Sequence, residues 1–176
     1  MKYLGYVLNE DCWKVDNEKI GCIVNFPVPT TRKEVKRFLG MCNWYRRFIA
    51  DFSEMAVPLT ELTKTKVRFR WTHEAEQAFL KLKSLLVSAP ILAMPDYSKP
   101  FTIACDASDV AIGAVLTQEL EGHEHPISYF SQKLSAAERK YSVTERECLA
   151  VIRAIEKFRG YEYISSFTAT TQLSHT

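Results

Sequence analysis

The stretch FTIACDASDVAIGAV (residues 101–115) decides the fold of the C-terminal half of this 176-residue chain. Its first five residues are rich in aromatic and β-branched side chains and predict a β-strand. Residues 107–109 predict a turn, and residues 111–117 predict the antiparallel partner strand. Asp106 therefore stands at the end of the first strand, where a sheet fixes a side chain and the next loop leaves room for a ligand. The alternative is that Asp106 only starts the turn, as aspartate often does.

The segments that follow predict a third strand, a helix and a further strand. Residues 127–130 (ISYF) favour a strand, and Ser142 with Glu145 three positions later forms a capping-box pattern that predicts the start of a helix. Residues 167–171 favour another extended segment. Three antiparallel strands, a helix and one more strand predict an α/β (α+β) layer arrangement, with a mixed sheet and one packed helix.

The predicted helix carries a second candidate carboxylate. Glu145 already caps the start of the helix. Glu147 lies two residues later, about 200° around the helix from Glu145. This aligns Glu147 with Ala150, Val151, Ala154 and Phe158, on or beside the side that packs against the sheet, where an uncompensated charge is costly. A divalent metal shared with Asp106 would compensate it; the alternative is that Glu147 only interacts with the helix dipole. The predicted apolar positions of this helix are Cys148, Val151, Ile152, Ile155 and Phe158.

Residues 31–89 predict a small helical unit. Thr31 and Glu34 form a capping box at its start, and apolar residues follow at helical spacing as far as residue 49. A second helix is predicted from near Thr72 to a point before Pro90. The opposite side of the first helix is basic and is interleaved with aromatic residues, which suits contact with phosphates. A solvated basic helix surface is the alternative. The candidate phosphate contacts are Arg32, Lys36, Arg46 and Arg47.

The composition is that of an ordinary globular protein, with 47% hydrophobic and 25% charged residues and a net charge of +2. Residues 31–70 have a charge balance of +6 and residues 106–147 one of −4, a distribution that suits anion binding in one part and cation binding in another. Neither a signal peptide nor a membrane-spanning stretch is evident, so no membrane partner is expected. The five scattered cysteines indicate reduced thiols and an intracellular location. His123 and His125 form an HxH pair that is more typical of a plain hydrophilic loop than of a metal site.

Several long motifs together resemble one known family. Residues 101–115 and residues 126–159 (PISYFSQKLSAAERKYSVTERECLAVIRAIEKFR) closely resemble the ribonuclease H domain of gypsy-type retrotransposon polyproteins. Residues 2–6 (KYLGY) look like the hairpin of reverse transcriptase that holds the primer end, and residues 26–64 are similar to the thumb of that enzyme. The resemblance implies three regions: the end of a polymerase palm in residues 1–25, a helical thumb or connection unit in residues 26–95, and the N-terminal part of a ribonuclease H-like domain in residues 96–176.

The resemblance also implies a chemistry. Ribonuclease H domains hydrolyse the RNA strand of an RNA–DNA hybrid with two divalent metals held by carboxylates, and the phosphate substrate suits Mg²⁺. Matched position by position, Asp106 and Glu147 are the first two metal ligands. Gln172 occupies the third ligand position, where the family has aspartate, and an amide offers one oxygen without charge. The expected partners are an RNA–DNA hybrid or primer–template duplex and the rest of the Pol polyprotein. The expected activity of this chain by itself is negligible, and the alternative function is a catalytically dead nucleic-acid-binding remnant.

Overall fold

A computed structural model describes residues 1–3, 5–9, 12–65, 67–161 and 164–169. Within these residues the strands form two four-stranded sheets, ordered β1-β2-β3-β4 and β7-β6-β5-β8. The elements before residue 96 are β1 (Lys2–Tyr3), β2 (Tyr6–Leu8), β3 (Cys12–Val15), α1 (Asn17–Val24), α2 (Arg32–Trp44), a 3₁₀ turn (Arg46–Phe48), α3 (Phe52–Met55), α4 (Val57–Leu62), α5 (His73–Val87) and β4 (Leu92–Ala93). Those that follow are β5 (Phe101–Ala107), β6 (Ala111–Leu120), β7 (His123–Lys133), a 3₁₀ turn (Glu138–Lys140), α6 (Val143–Phe158) and β8 (Ile164–Ala169).

The first sheet and the helices before residue 96 share one buried core. β1 and β2 form a tight hairpin in which Gly5 adopts a positive φ of 87°, a conformation that favours glycine. A Cβ at Gly5 would also lie 2.7 Å from the hydroxyl oxygen of Tyr45. β3 pairs with β4, so the two ends of this segment are joined in one sheet. Val15 and Ile20 belong to the same buried cluster as the apolar sides of α2 and α5.

The predicted starts of α2 and α5 are confirmed. Thr31 accepts a hydrogen bond from the Glu34 backbone, and the Glu34 side chain accepts one from the Thr31 backbone, which completes the capping box. Thr72 caps α5 by accepting from the backbone of Ala75. The periodic pattern overestimated α2, which ends at Trp44 and is followed by a 3₁₀ turn. Helices α1, α3 and α4 were not predicted.

The second sheet is mixed, as predicted. β5, β6 and β7 are antiparallel neighbours, and β8 lies parallel to β5 on the other side. β7 begins at His123, so the HxH pair lies in a strand and not in the predicted loop. The predicted segment 167–171 is described as far as Ala169 in β8, and its last two residues lie outside the described residues.

Helix α6 packs on one side of the second sheet, and the capping box of Ser142 and Glu145 is confirmed. The side predicted to pack against the sheet, with Ala150, Val151, Ala154 and Phe158, is confirmed, but three of the other predicted apolar positions are exposed. Ile152 is 53% exposed and Ile155 40% exposed, and Cys148 is exposed as well. The buried positions are Ala150, Ala154 and Phe158. Small alanines bring the helix close to the sheet, and the larger apolar side chains lie to the side of that contact.

The helical unit and the second sheet meet along β7. The backbone N–H of Ser53 donates to the Ser131 hydroxyl at 2.9 Å, and Arg46 donates to the Ser131 carbonyl oxygen. Lys133 forms an ion pair with Glu61 at 2.7 Å. Tyr129 packs against the buried cluster of the helical unit. The two parts therefore share hydrogen bonds, an ion pair and apolar contacts.

The ion pair at this junction predicts a dependence of stability on pH. The pKa of Glu61 is lowered from its usual 4.5 to about 2, mainly by a hydrogen bond from Lys133 and secondly by one from Lys64. Because the folded-state pKa is the lower one, the stabilisation is complete above pH 4.5 and is lost as the pH falls towards 2. Glu61→Gln should therefore lower the free energy of unfolding at pH 6 by less than about 1 kcal/mol, since the pair is partly exposed. Urea titrations should show this difference shrinking below pH 4. The matched control is Glu119→Gln, an exposed glutamate near the end of β6; an equal effect of both variants at every pH would contradict the prediction.

No helix of the described residues is both long enough and apolar enough to span a membrane.

Candidate functional site

Asp106 is the sixth residue of β5 and is half-buried at the end of the strand. Its Oδ1 accepts a hydrogen bond from the backbone N–H of Ala107 at 2.9 Å. The turn that follows is held by Ser108, whose hydroxyl accepts from the backbone of Val110 and Ala111 at 3.3 and 3.1 Å. Ser108 therefore serves as the turn-forming residue, and the sheet fixes the position of Asp106.

Glu147 is the fifth residue of α6 and is half-buried. It lies one helical turn before Ala150 on the side that packs against the sheet, as predicted. Its neighbour Arg146 donates to the carbonyl oxygen of Ser108 at 3.0 Å and pairs with Asp109 at 2.5 Å. These bonds anchor the start of α6 to the loop that follows Asp106. The two predicted metal ligands therefore lie at the same end of the second sheet.

The two carboxylates belong to different surroundings at that end. α6 packs on the side of β5 that carries Ile103 and Cys105, and successive residues of a strand point to opposite sides. Asp106 therefore projects to the other side, towards the helical unit. Its carboxylate neighbour there is Asp51, so two acidic side chains lie close together on this side of the sheet.

Asp51 was not predicted as part of the site. Its pKa is raised, first by burial and then by the negative charges of Glu54 and Asp106. Its side chain lies over Gly113, the cross-strand partner of Asp106; a Cβ at Gly113 would lie 2.7 Å from Asp51 Oδ1. Asp51 has a left-handed φ of 50°, a conformation in which aspartate is enriched. Its proximity to Asp106 depends on the packing of two distant segments, so no local pattern could have indicated it.

The donor types at this end of the sheet fit a hard divalent cation, since carboxylate oxygens are what Mg²⁺ prefers. Within the residues that the structure describes, however, no three His, Cys, Asp or Glu side chains lie close enough to hold a metal together. His123 and His125 contribute no such group, and Gln172 lies outside the described residues. Asp106 and Glu147 remain predicted ligands of a metal, and the described donors do not complete a site.

The four predicted phosphate contacts have different surroundings. Lys36 is exposed on α2, and Arg32 donates to the carbonyl oxygen of Val67. Arg46 donates to Asn43 at 3.3 Å and to Ser131, and burial lowers its pKa. The Arg47 guanidinium lies 4.6 Å from the centre of the Trp13 ring. Arg46 thus also has a structural role that the sequence did not indicate, because it joins the helical unit to β7.

Known proteins of similar sequence identify the family. The family model described as the RNase H-like domain found in reverse transcriptase matches residues 71–169. The retrovirus-related Pol polyprotein from transposon opus of Drosophila melanogaster is 42% identical over 174 residues, or 93% of this chain. The chain belongs to the family of RNase H-like domains found in reverse transcriptase. The transposon Tf2-3 polyprotein of Schizosaccharomyces pombe is 39% identical over 162 residues, or 92% of the chain.

The chain matches only a part of these relatives. It spans 17% of the length of the opus polyprotein and 12% of the Tf2-3 polyprotein. Among solved structures, the foamy viral protease–reverse transcriptase in complex with double-stranded DNA superposes on 99% of this chain and 37% of its own, with a TM-score of 0.82 and 24% identity. The same viral protein in complex with an RNA/DNA hybrid gives a TM-score of 0.80 over 96% of the chain and 23% of its own. These similarities confirm the predicted fold class and family.

Proposed function

We propose that this chain is a part of a Pol polyprotein, from its reverse transcriptase and ribonuclease H region, that holds an RNA–DNA hybrid or a primer–template duplex. The foamy viral protein of the same fold was solved with double-stranded DNA and with an RNA/DNA hybrid, which supports a nucleic-acid partner. The rest of the Pol polyprotein is the second expected partner. All five cysteines are free thiols, which supports an intracellular location.

The observation that carries the proposal is the exposed basic side of α2. Lys33, Lys36 and Arg37 are all exposed there. Among the described residues none of the three forms an ion pair with an acidic side chain. A nucleic-acid backbone supplies the missing negative charges, and its binding releases counterions, which is favourable at low salt. We infer that α2 contacts phosphates of the duplex.

We propose Asp106 and Glu147 as carboxylates that would each offer oxygens to Mg²⁺ at the end of the second sheet. Asp106 projects towards Asp51 and Glu147 lies on the α6 side, so the two do not form a closed pair. The metal, when bound, supplies activation of a water and stabilisation of the departing oxygen. The Ala107 N–H orients Asp106, and the anchored Arg146 positions Glu147. The third ligand position falls on Gln172, whose neutral amide is a weak ligand, and the described residues contain no three-residue metal group. We therefore propose that the chain binds the hybrid and hydrolyses it negligibly. This corresponds to the alternative of a catalytically dead nucleic-acid-binding remnant.

Binding and hydrolysis are tested on one labelled RNA–DNA hybrid. Fluorescence anisotropy should show an affinity that falls as salt rises. Lys36→Ala should weaken binding and reduce the slope of log K against log salt by about 0.9, the effect of one lost phosphate contact. Lys81→Ala removes an equally exposed charge from α5 and is the matched control. An affinity that does not change with salt would contradict the proposal.

The same mixtures, incubated with Mg²⁺ and separated on a denaturing gel, should contain intact RNA. Release of RNA fragments by the purified chain, abolished by Asp106→Asn and by Glu147→Gln, would show that the chain is an active nuclease. Fragments that persist in both variants would indicate a contaminating enzyme, and both carboxylates would then have no role in the cleavage observed.

A further inference from the structure

A cavity of about 270 Å³ lies where the helical unit, the edge strand β7 and the C-terminal end of α6 meet. Its volume is just below the roughly 300–1,000 Å³ of typical small-molecule sites, so a single small group fits and a duplex does not. The residues that line it are Arg46, Arg47, Ser128, Tyr129, Phe130, Lys157, Phe158 and Tyr161. Within the part of the chain that the structure describes, no acidic residue lines the cavity.

The cations of this cavity are not neutralised. Arg46 and Arg47 come from the helical unit and Lys157 from α6, so positive charges face each other across the opening. Within the described part of the chain, none of the three takes part in a salt bridge. Arg47 Nε is buried without a hydrogen-bond partner. Clustered cations repel one another and a buried donor without a partner is costly, so an anion in the cavity would stabilise both.

The remaining polar groups of the cavity are hydroxyl donors. Three of the residues that line the cavity, Ser128, Tyr129 and Tyr161, have hydroxyl groups. Burial raises the pKa of Tyr129 and of Tyr161, so both phenols are protonated at neutral pH and can donate to an anion. The aromatic rings of Phe130 and Phe158 form the apolar part of the lining, which excludes water and strengthens charge–charge attraction.

We propose that this cavity, with Arg47, Lys157 and Tyr161 as its principal donors, binds a phosphate group. This inference rests on the proposed function only for the source of the phosphate. That source is either a nucleic-acid backbone or a free phosphate compound. A phosphate offers several acceptor oxygens and matches the fork of an arginine and the point charge of a lysine. Because its walls come from both parts of the chain, an occupied cavity would also strengthen the contact between them.

The test is titration of the whole ¹⁵N-labelled chain with inorganic phosphate at constant ionic strength, followed by NMR. Saturable shifts are expected for the backbone of Ser128 and for the indole N–H of Trp13, over which Arg47 lies. Lys157→Gln should weaken binding about two- to fivefold, the effect of one partly exposed charge. Tyr161→Phe keeps the ring contacts with Phe101 and Phe158 and should weaken binding about two- to tenfold. Lys140→Gln, an exposed lysine outside the cavity, is the control.

Shifts that do not saturate, or an affinity that neither Lys157→Gln nor Tyr161→Phe changes, would overturn this inference. Lys36→Ala separates it from the proposed function, since this variant should weaken hybrid binding and leave the affinity for inorganic phosphate unchanged. A chain that binds inorganic phosphate but not the hybrid would support the cavity and contradict the proposed function. Displacement of phosphate by the hybrid would identify the nucleic-acid backbone as the source, and simultaneous binding would identify a free phosphate compound; both support the phosphate site.

Discussion

Phe38→Ala should lower the free energy of unfolding by about 3–5 kcal/mol, the usual cost of removing a buried phenylalanine ring. Phe38 is fully buried, and its ring centre lies 4.6 Å from that of Phe79 on α5 and 5.7 Å from that of Phe26. It therefore joins α2, α5 and the segment before α2 in one core. Neighbouring side chains can fill only a part of the space that alanine leaves, so the loss exceeds the transfer energy of the ring.

Urea denaturation followed by circular dichroism measures this loss. Leu80→Ala is the matched control because Leu80 is on α5 but 51% exposed, and its effect should stay within about 0.5 kcal/mol. Natural domains are stable by only about 5–15 kcal/mol, so Phe38→Ala could be partly unfolded in water. Phe38→Leu keeps most of the volume and should lose less than about 1.5 kcal/mol. Equal losses for Phe38→Ala and Leu80→Ala would show that the core is not packed as described.

Much of the fold could be predicted because local signals were strong where elements begin. The capping boxes at Thr31 and Ser142 located the starts of α2 and α6 to the residue. Helix α1 was missed although Asp16 caps it, because its eight residues are too few for a clear periodic pattern. In α6 the helix was predicted, but Ile152 and Ile155 are exposed, because hydrophobicity alone does not tell which side of a helix meets the sheet.

The candidate site was predictable only in the parts that a single segment determines. The sequence placed Asp106 at a strand end and Glu147 beside the packed side of a helix, and both positions agree with the structure. It could not show that Asp106 projects towards Asp51, because residues 51 and 106 are brought together by the contact between two parts of the chain. The same contact creates the cavity that combines Arg47 with Lys157. Long-range packing, and not a local sequence pattern, determines which of these charged groups lie close together.

That contact leads to a second prediction with a large effect, Phe158→Ala on α6. Phe158 is 1% exposed, and its ring lies 6.4 Å from that of Phe130 and 6.2 Å from that of Tyr161. Its removal should lower the free energy of unfolding by about 3–5 kcal/mol. The informative measurement is tryptophan fluorescence, because all three tryptophans, Trp13, Trp44 and Trp71, precede residue 96.

If the chain unfolds as one unit, the variant should shift the fluorescence and circular-dichroism transitions to the same lower urea concentration. We expect this result because the bonds from Ser53 and Arg46 to Ser131, together with the packing of Tyr129 in the other core, connect the two parts. A fluorescence transition that stays at the wild-type midpoint while circular dichroism shifts would show that the parts before and after residue 96 unfold independently. The control is Ile155→Ala, a change on the exposed side of the same helix, which should leave both transitions almost unchanged. A single transition would mean that the cavity and the end of the sheet near Asp106 keep their shape only while both parts are folded, so ligand binding at either place should stabilise the whole chain.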